Sequence, residues 1–203
     1  MIFIGLVFMI IINSGCPKPC VEANYTFAVN TRIYPDLDSI RVNDTVYISS
    51  TFPTRLSNQT NGSIIDYSNA NDIESTISIA QLITGDSIPK GAVVDFNYIS
   101  ELGMIYNSTS IPSPELVQQL RYVQVGNNYQ LMVGLIPKRK GVFALGIGNG
   151  LSNSRSSSSS CEKANFLFTI SSTSQHIYYY QKWRPGFELT AAGISKLYCF
   201  KVY

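Results

Sequence analysis

The sequence predicts an all-β domain: an immunoglobulin-like β-sandwich of about seven to nine strands with one or two short helices. Three observations predict it. Apolar and polar residues alternate with period two. Along residues 21–33, Val21, Ala23, Tyr25, Phe27, Val29 and Ile33 share one face, while Glu22, Asn24, Thr26, Asn30 and Arg32 share the other. Charged residues make up only 14% of the chain, against a typical value of about 25%. Ser, Thr, Asn and Tyr fill the polar surface instead, and these residues pack on pleated sheets or make local turn bonds. Finally, short apolar runs are separated by polar turns, which favours a sandwich over a parallel α/β sheet. A small closed barrel is the runner-up.

The elements follow in order. After the first strand comes a turn at Pro35-Asp36-Leu37-Asp38-Ser39, then one or two strands over 40–52 broken at Asn43-Asp44. Residues 58–72 are polar and turn-rich and read as a long loop. Further strands are predicted at 75–82, 92–99, 129–136, 142–147, 164–170 and 196–203. Pro137-Lys138-Arg139-Lys140-Gly141 between two of them predicts a hairpin with a solvated basic tip. Residues 113–120 predict a capped helical turn with Pro114 at its first position. Residues 173–183 predict a second short helix, stopped by Pro185-Gly186. The serine run over 152–160 is too simple to pack and reads as a loop between strands.

The chain has 203 residues, enough for one domain with its own core. Its net charge of +2 is interspersed, so no basic face is available for nucleic acid. Residues 2–12 form an uncharged apolar run. That is too short to span a bilayer, which takes about 20 residues, and it matches the apolar core of a signal peptide.

Asn13-Ser14-Gly15-Cys16 follows the run. Small residues before a cysteine resemble the lipobox of bacterial lipoproteins, with Ser14, Gly15 and Cys16 fitting the pattern and Asn13 replacing the usual aliphatic residue. With the Asn- and Tyr-rich domain and the single-domain length, the chain is similar to small Bacteroidota lipoproteins. The resemblance implies cleavage before Cys16, acyl chains (palmitate and its like) on that residue, and attachment to the cell envelope, at the outer membrane. The competing reading is a secreted protein cut near Gly15. The domain organisation is then a signal peptide over 1–15, anchor and tether over 16–20, and one sandwich domain over 21–203. Pro17-Lys18-Pro19 makes the tether short, holding the domain within about 20 Å of its anchor.

Four cysteines occur, at positions 16, 20, 161 and 199. Export permits disulfides. If the strands carrying Cys161 and Cys199 pair antiparallel, their sulfurs meet across the ladder. That leaves Cys20 over, with Cys20 pairings and reduced thiols as the alternatives. Zinc needs four ligands with a close pair, and the chain has a single histidine, so no metal and no cofactor is predicted.

No catalytic constellation is evident. His176 would have to serve any His-based triad, and a surface or half-buried histidine on a short helix is the simpler reading. Asp36, Asp38 and Asp44 lie in turns, where aspartate bonds its own backbone. They are also the nearest carboxylate cluster for a glycan hydrolase or a Ca²⁺ site. Gly146-Ile147-Gly148-Asn149-Gly150 lacks nucleotide-loop spacing. The Asn-X-Ser/Thr sequons at Asn24, Asn43, Asn58, Asn61 and Asn107 would carry glycans in a eukaryotic secreted protein. Tyr178-Tyr179-Tyr180 with Trp183 is the most informative cluster, because Tyr179, Tyr180 and Trp183 share helical faces. The rings either meet an envelope protein or glycan partner, or cover one end of the sandwich. The expected function is a non-enzymatic, lipid-anchored binding or structural module. A secreted or anchored glycan-acting hydrolase is the alternative.

Overall fold

The computed structural model describes residues 22–70, 72–86, 88–107, 117–152 and 161–203. The signal run, Cys16 and its tether, and Cys20 lie outside the described residues, as do 108–116 and 153–160 of the serine run. In chain order the strands are β1 (Glu22–Tyr34), β2 (Ser39–Ile40), β3 (Val46–Pro53), β4 (Arg55–Ser57), β5 (Ile64–Asp66), β6 (Glu74–Gln81) and β7 (Lys90–Gly91). A 3-10 turn, Val93–Asp95, leads into β8 (Phe96–Leu102), followed by β9 (Met104–Tyr106), β10 (Val117–Arg121), β11 (Val123–Val125) and β12 (Asn128–Pro137). The remainder comprises β13 (Gly141–Ile147), β14 (Gly150–Ser152), β15 (Cys161–Ile170), α1 (Tyr178–Trp183), α2 (Ala191–Ile194) and β16 (Leu197–Val202).

The long alternating stretch of β1 belongs to two sheets. Its first ten residues pair in parallel with β15, Phe27 opposite Phe166, and Arg32 to Tyr34 pair antiparallel with β3. The first sheet continues from β15 through β14 and its extension β13 to β6, with β7, β10 and β9 beyond and β16 and β2 on the other side of β13. The second sheet runs from β3 to β12, which carries β8 and β11 on its far side. The strand path ends at β11 and β2, so the sheet does not close into a barrel. This is the predicted β-sandwich. Among the described residues nine strands run five residues or longer, and short ladders account for the rest.

The inner faces meet through aromatic rings. Phe52 of β3 lies 5.8 Å from Phe166 and 6.5 Å from Phe168 of the other sheet, and Phe96 lies 5.1 Å from Phe143. Such pairs contribute about 0.5–1.5 kcal/mol each beyond the area they bury. Phe27, Ile48, Ile77, Val133 and Phe166 are completely buried between the sheets.

Three expectations are corrected. The stretches 129–136 and 142–147 do not form a hairpin: β12 pairs with β3, β8 and β11, and β13 pairs with β6 and β16. Their connection arches from one sheet to the other, about 10 Å away. Each strand buries a full row, Leu131, Val133 and Leu135 against Phe143, Leu145 and Ile147, which facing sheets accommodate. The helix predicted over 113–120 is strand over its described part. β10 lies between β6 and β9, burying Gln118 and Leu120, and tertiary pairing overrides the local propensity. The loop over 58–72 holds a strand, β5, paired with β4.

The Cys161–Cys199 ladder does not form either, because β15 pairs with β1 and β14, and β16 with β13 and β2. Nine steps of extended chain put Cys161 about 30 Å from Ile170. The Ile170 amide donates to the Ser195 carbonyl at 2.7 Å, and Cys199 is four residues further on, at most about 14 Å. The two Cα atoms are thus more than about 10 Å apart, whereas a disulfide needs less than about 7 Å. Cys199 is a buried free thiol.

Candidate functional site

Strand periodicity sends Phe143, Leu145, Tyr198 and Phe200 into the sandwich and leaves Val142, Ala144, Cys199 and Lys201 on the outer face of the first sheet. Ala144 and Cys199 are nevertheless buried, at 5% and 0% exposure, so a second layer covers this face. The cover is α1. Trp183, 5% exposed, packs on Leu82, Ala144 and Cys199, with Val142, Tyr179, Tyr180 and Leu197 around it. The helix is short because its C-cap Arg184 leaves the helical region ahead of Pro185, and Gly186 (φ +79) then turns the chain away. Burial pushes the Cys199 thiol up to about 12, against a weaker pull from a bond with the Tyr180 backbone.

The three aromatic residues singled out by sequence are thus brought together, though not as a flat exposed platform. Trp183 is the buried anchor of α1. Tyr180 packs edge-on against it at 5.2 Å, and Phe187 lies 6.2 Å from Tyr180. Tyr178 is exposed, meets the Tyr179 ring in a tilted contact at 4.4 Å and donates its hydroxyl to Asp38 at 3.0 Å. Beside the helix runs a groove of about 200 Å³ lined by Leu82, Thr84, Val142, Tyr179, Lys182, Trp183 and Lys201. The Trp183 indole N–H is buried, with no hydrogen-bond acceptor among the described residues.

The other candidates collect at one corner of the fold. His176 is not on the helix expected over 173–183: its backbone is left-handed (φ +51), and α1 begins two residues later, after the N-cap Ile177. Its Nε2 stands 3.8 Å from an Asp36 oxygen, with Tyr198 and Tyr178 edge-on at 5.3 and 6.2 Å. Among the described residues no serine hydroxyl meets its ring. Burial raises the Asp36 carboxyl, but the Thr173 hydroxyl and amide, donating at 2.5 and 2.7 Å, outweigh it together with Tyr198 and His176 and leave it below the ordinary range. Asp38 is held low by the hydroxyls of Ser39 and Tyr178. Asp44 accepts from the Arg41 amide at 2.8 Å, a turn bond. Asp36 and Asp38 therefore tie the 35–39 turn to the approach to α1, a role their turn positions alone did not reveal. Among the described residues, no group of three or more His, Cys, Asp and Glu side chains converges on a metal position.

Gly148 and Asn149 form the bend between β13 and β14, with Asn149 accepting from Lys196 Nζ at 2.7 Å. Asn58 is 4% exposed and accepts from the Thr26 amide, so its sequon is occupied by the fold. The groove itself was missed in the sequence. Its signal was Tyr198-Cys199-Phe200, three consecutive buried residues in a strand, which requires both faces to be covered.

No family model matches the chain, and no curated protein does. Solved structures with a similar arrangement include a human F-spondin reeler domain, 10% identical over 74% of this chain and 88% of that one, with a TM-score of 0.34. The second type II cohesin module from the ScaA scaffoldin of Acetivibrio cellulolyticus is 10% identical over 60% of this chain and 75% of that one, at 0.29. A type II cohesin domain from the cellulosome of the same organism is 12% identical over 59% and 74%, at 0.27.

Proposed function

We propose that this protein is a lipid-anchored, non-catalytic binding module of the cell envelope that receives its partner at the outer face beside α1. The observation that carries the binding half is the groove between α1 and β13–β16, where the packed Trp183 meets Leu82, Val142 and Tyr179, with Thr84, Lys182 and Lys201 also in the lining. Ordered aromatic floors with charged rims are the anatomy of binding hot spots. The rival hydrolase would need two carboxylates facing a cleft. Asp36, Asp38 and Asp44 are instead engaged by Thr173, by Ser39 and Tyr178, and by the Arg41 amide.

The anchoring half rests on the sequence: an apolar run, then Ser14-Gly15-Cys16, then a strand beginning at Glu22. Two or more acyl chains hold a protein stably at a membrane where one does not. With so short a tether, the sandwich would sit against the membrane, and the outer membrane is the surface we assign. The test is an intact mass of the natively expressed protein from the membrane fraction. A chain beginning at Cys16 and carrying acyl chains is expected. A soluble, acyl-free species would overturn the anchor.

A further inference from the structure

Along one edge β8 pairs with β12, in regular register from Phe96 to Ser100, and the bulge in this ladder skips Glu101. Among the described residues no backbone hydrogen bond leaves the other edge of β8. In an antiparallel strand every second residue turns its N–H and C=O away from its neighbour, so a row of donors and acceptors faces outward there. Such a row is a template for another strand, and folds commonly blunt it with Lys, Pro or a very short edge. β8 has seven residues, contains neither Lys nor Pro, and carries its one charge at the bulge.

Comparable edges in this fold are covered. Beyond its pairing with β2, the amides of β16 are taken by the carbonyls of Gln175 (from Cys199, 2.9 Å) and Asp38 (from Lys201, 2.8 Å). On the side of β1 away from β15, Thr26 bonds to Gln59 and Asn58, and the Asn30 carbonyl accepts from Ser50. The border strands β2, β7, β9 and β11 are two or three residues long.

The bare edge also borders a cavity. Gly103 (φ +70) turns the chain from β8 in the second sheet to β9 in the first, and a side chain there would strike the Arg121 carbonyl. The two strands therefore part from this point, and a cavity of about 650 Å³ opens beside them. That is within the roughly 300–1,000 Å³ of ligand pockets. Val93, Phe96, Tyr98 and Ile105 supply apolar walls, with the exposed Val94 and Lys138 also in the lining. The other polar side chains in the lining have partners. Tyr98 donates to the Val93 carbonyl at 2.7 Å, Tyr106 donates to Glu74 at 2.7 Å, and Gln118 donates to Asn107. What the site offers is apolar surface beside a bare backbone edge, and an extended polypeptide matches both at once.

We propose that β8 receives an extended segment of a partner polypeptide as an added strand. Its main chain pairs with Phe96–Ser100, and its alternate apolar side chains enter the cavity. In recognition of this kind the main-chain bonds give affinity and the pocket selects the side chains. The site shares no lining residue with the groove beside α1, so it is a second binding surface and stands or falls apart from the first.

The probe is an acetylated, amidated Lys-Val-Thr-Phe-Thr-Val-Lys peptide, read by hydrogen exchange at the amides of residues 96–100. In the free protein the amides paired with β12 should exchange slowly and the alternate ones fast. Saturating peptide should slow the fast set. Two N-methylated forms, one modified at Val, Phe and Val and the other at both Thr residues, carry the same side chains but lose opposite sets of N–H donors. One form should bind at least about tenfold more weakly and the other like the parent, because only one set faces β8. Replacing Val and Phe by Ser should also weaken binding about tenfold or more. Equal binding of the two methylated forms would mean that the cavity takes apolar groups without strand pairing, and it would overturn the proposal. So would no binding of the parent, or binding without slower exchange in β8. Slow exchange along all of 96–100 in a protein that sediments as a dimer would assign the edge to a second copy of the chain and overturn it too.

Discussion

The Arg139 guanidinium lies 2.5 Å from the Asp95 carboxylate, and the same nitrogen donates to Gln81 at 2.8 Å. Asp95 leads into β8 of the second sheet and Gln81 ends β6 of the first, so one side chain from the arch clasps both sheets. Asp95 is held low chiefly by its bond to Arg139. A carboxylate with a depressed folded-state pKa stabilises the protein above its unfolded value of about 4, and that contribution is lost as pH falls through the folded value. Arg139→Gln should therefore cost about 1 kcal/mol near neutral pH, a figure discounted for the partial exposure of the arginine. In urea denaturation the gap should close on acidification below the Asp95 transition. A gap that persists in acid would mean that Arg139 stabilises by packing on Phe143, 5.9 Å away.

Tyr129 is completely buried, donates its hydroxyl to the Tyr67 carbonyl at 2.7 Å and accepts from the Ala70 amide at 2.8 Å. It pins the 67–70 segment to β12 through two backbone groups that water does not reach. Tyr129→Phe leaves both unpaired and should cost about 2 kcal/mol or more, since each orphaned buried group costs about 1–3 kcal/mol. Hydrogen exchange at Ala70 should quicken while the amides of β3 keep their protection.

Cys199 is completely buried beneath Trp183, its thiol pushed up to about 12. At pH 8 it should resist iodoacetamide in the folded protein and react once urea unfolds the domain, because the thiolate is the nucleophile. Peptide mapping of residues 197–201 would read this, with no change on adding reductant. Labelling at the rate of a free cysteine would show that the α1 cover opens readily.

Much of the sandwich was legible because its strands bury one face and alternate. β1, β3, β6, β12, β13, β15 and β16 all stand close to where period two places them. Pairing was not legible, since the same alternation serves a hairpin and an arch between facing sheets. Residues 129–147 present both strands and a tight polar connection, and only the partner strands decide between the two. β10 was lost for a related reason. Val117 to Arg121 carries good helix formers, and its strand conformation comes from β6 and β9 on either side. The aromatic cluster was legible as a cluster, but its depth was not. A tryptophan five residues after Tyr178 fits a platform as well as an anchor, and the small residues beneath it, Ala144 and Cys199, lie far away in sequence.

Substitutions at Trp183 separate its two roles. Trp183→Ala removes the packing on Leu82, Ala144 and Cys199 and should cost about 3 kcal/mol or more, as large core truncations do. Tyr178, 47% exposed, should cost less on truncation than Trp183, losing its hydroxyl bond to Asp38 and its contact with Tyr179. Trp183→Phe is the informative variant. It keeps most of the apolar contact and deletes an N–H that has no acceptor among the described residues, so the loss of area is offset by removal of an unpaired donor. Its expected cost is about 1 kcal/mol in urea denaturation, well short of the alanine variant. If Trp183→Phe destabilises the protein as much as Trp183→Ala, the indole N–H is paired in solution.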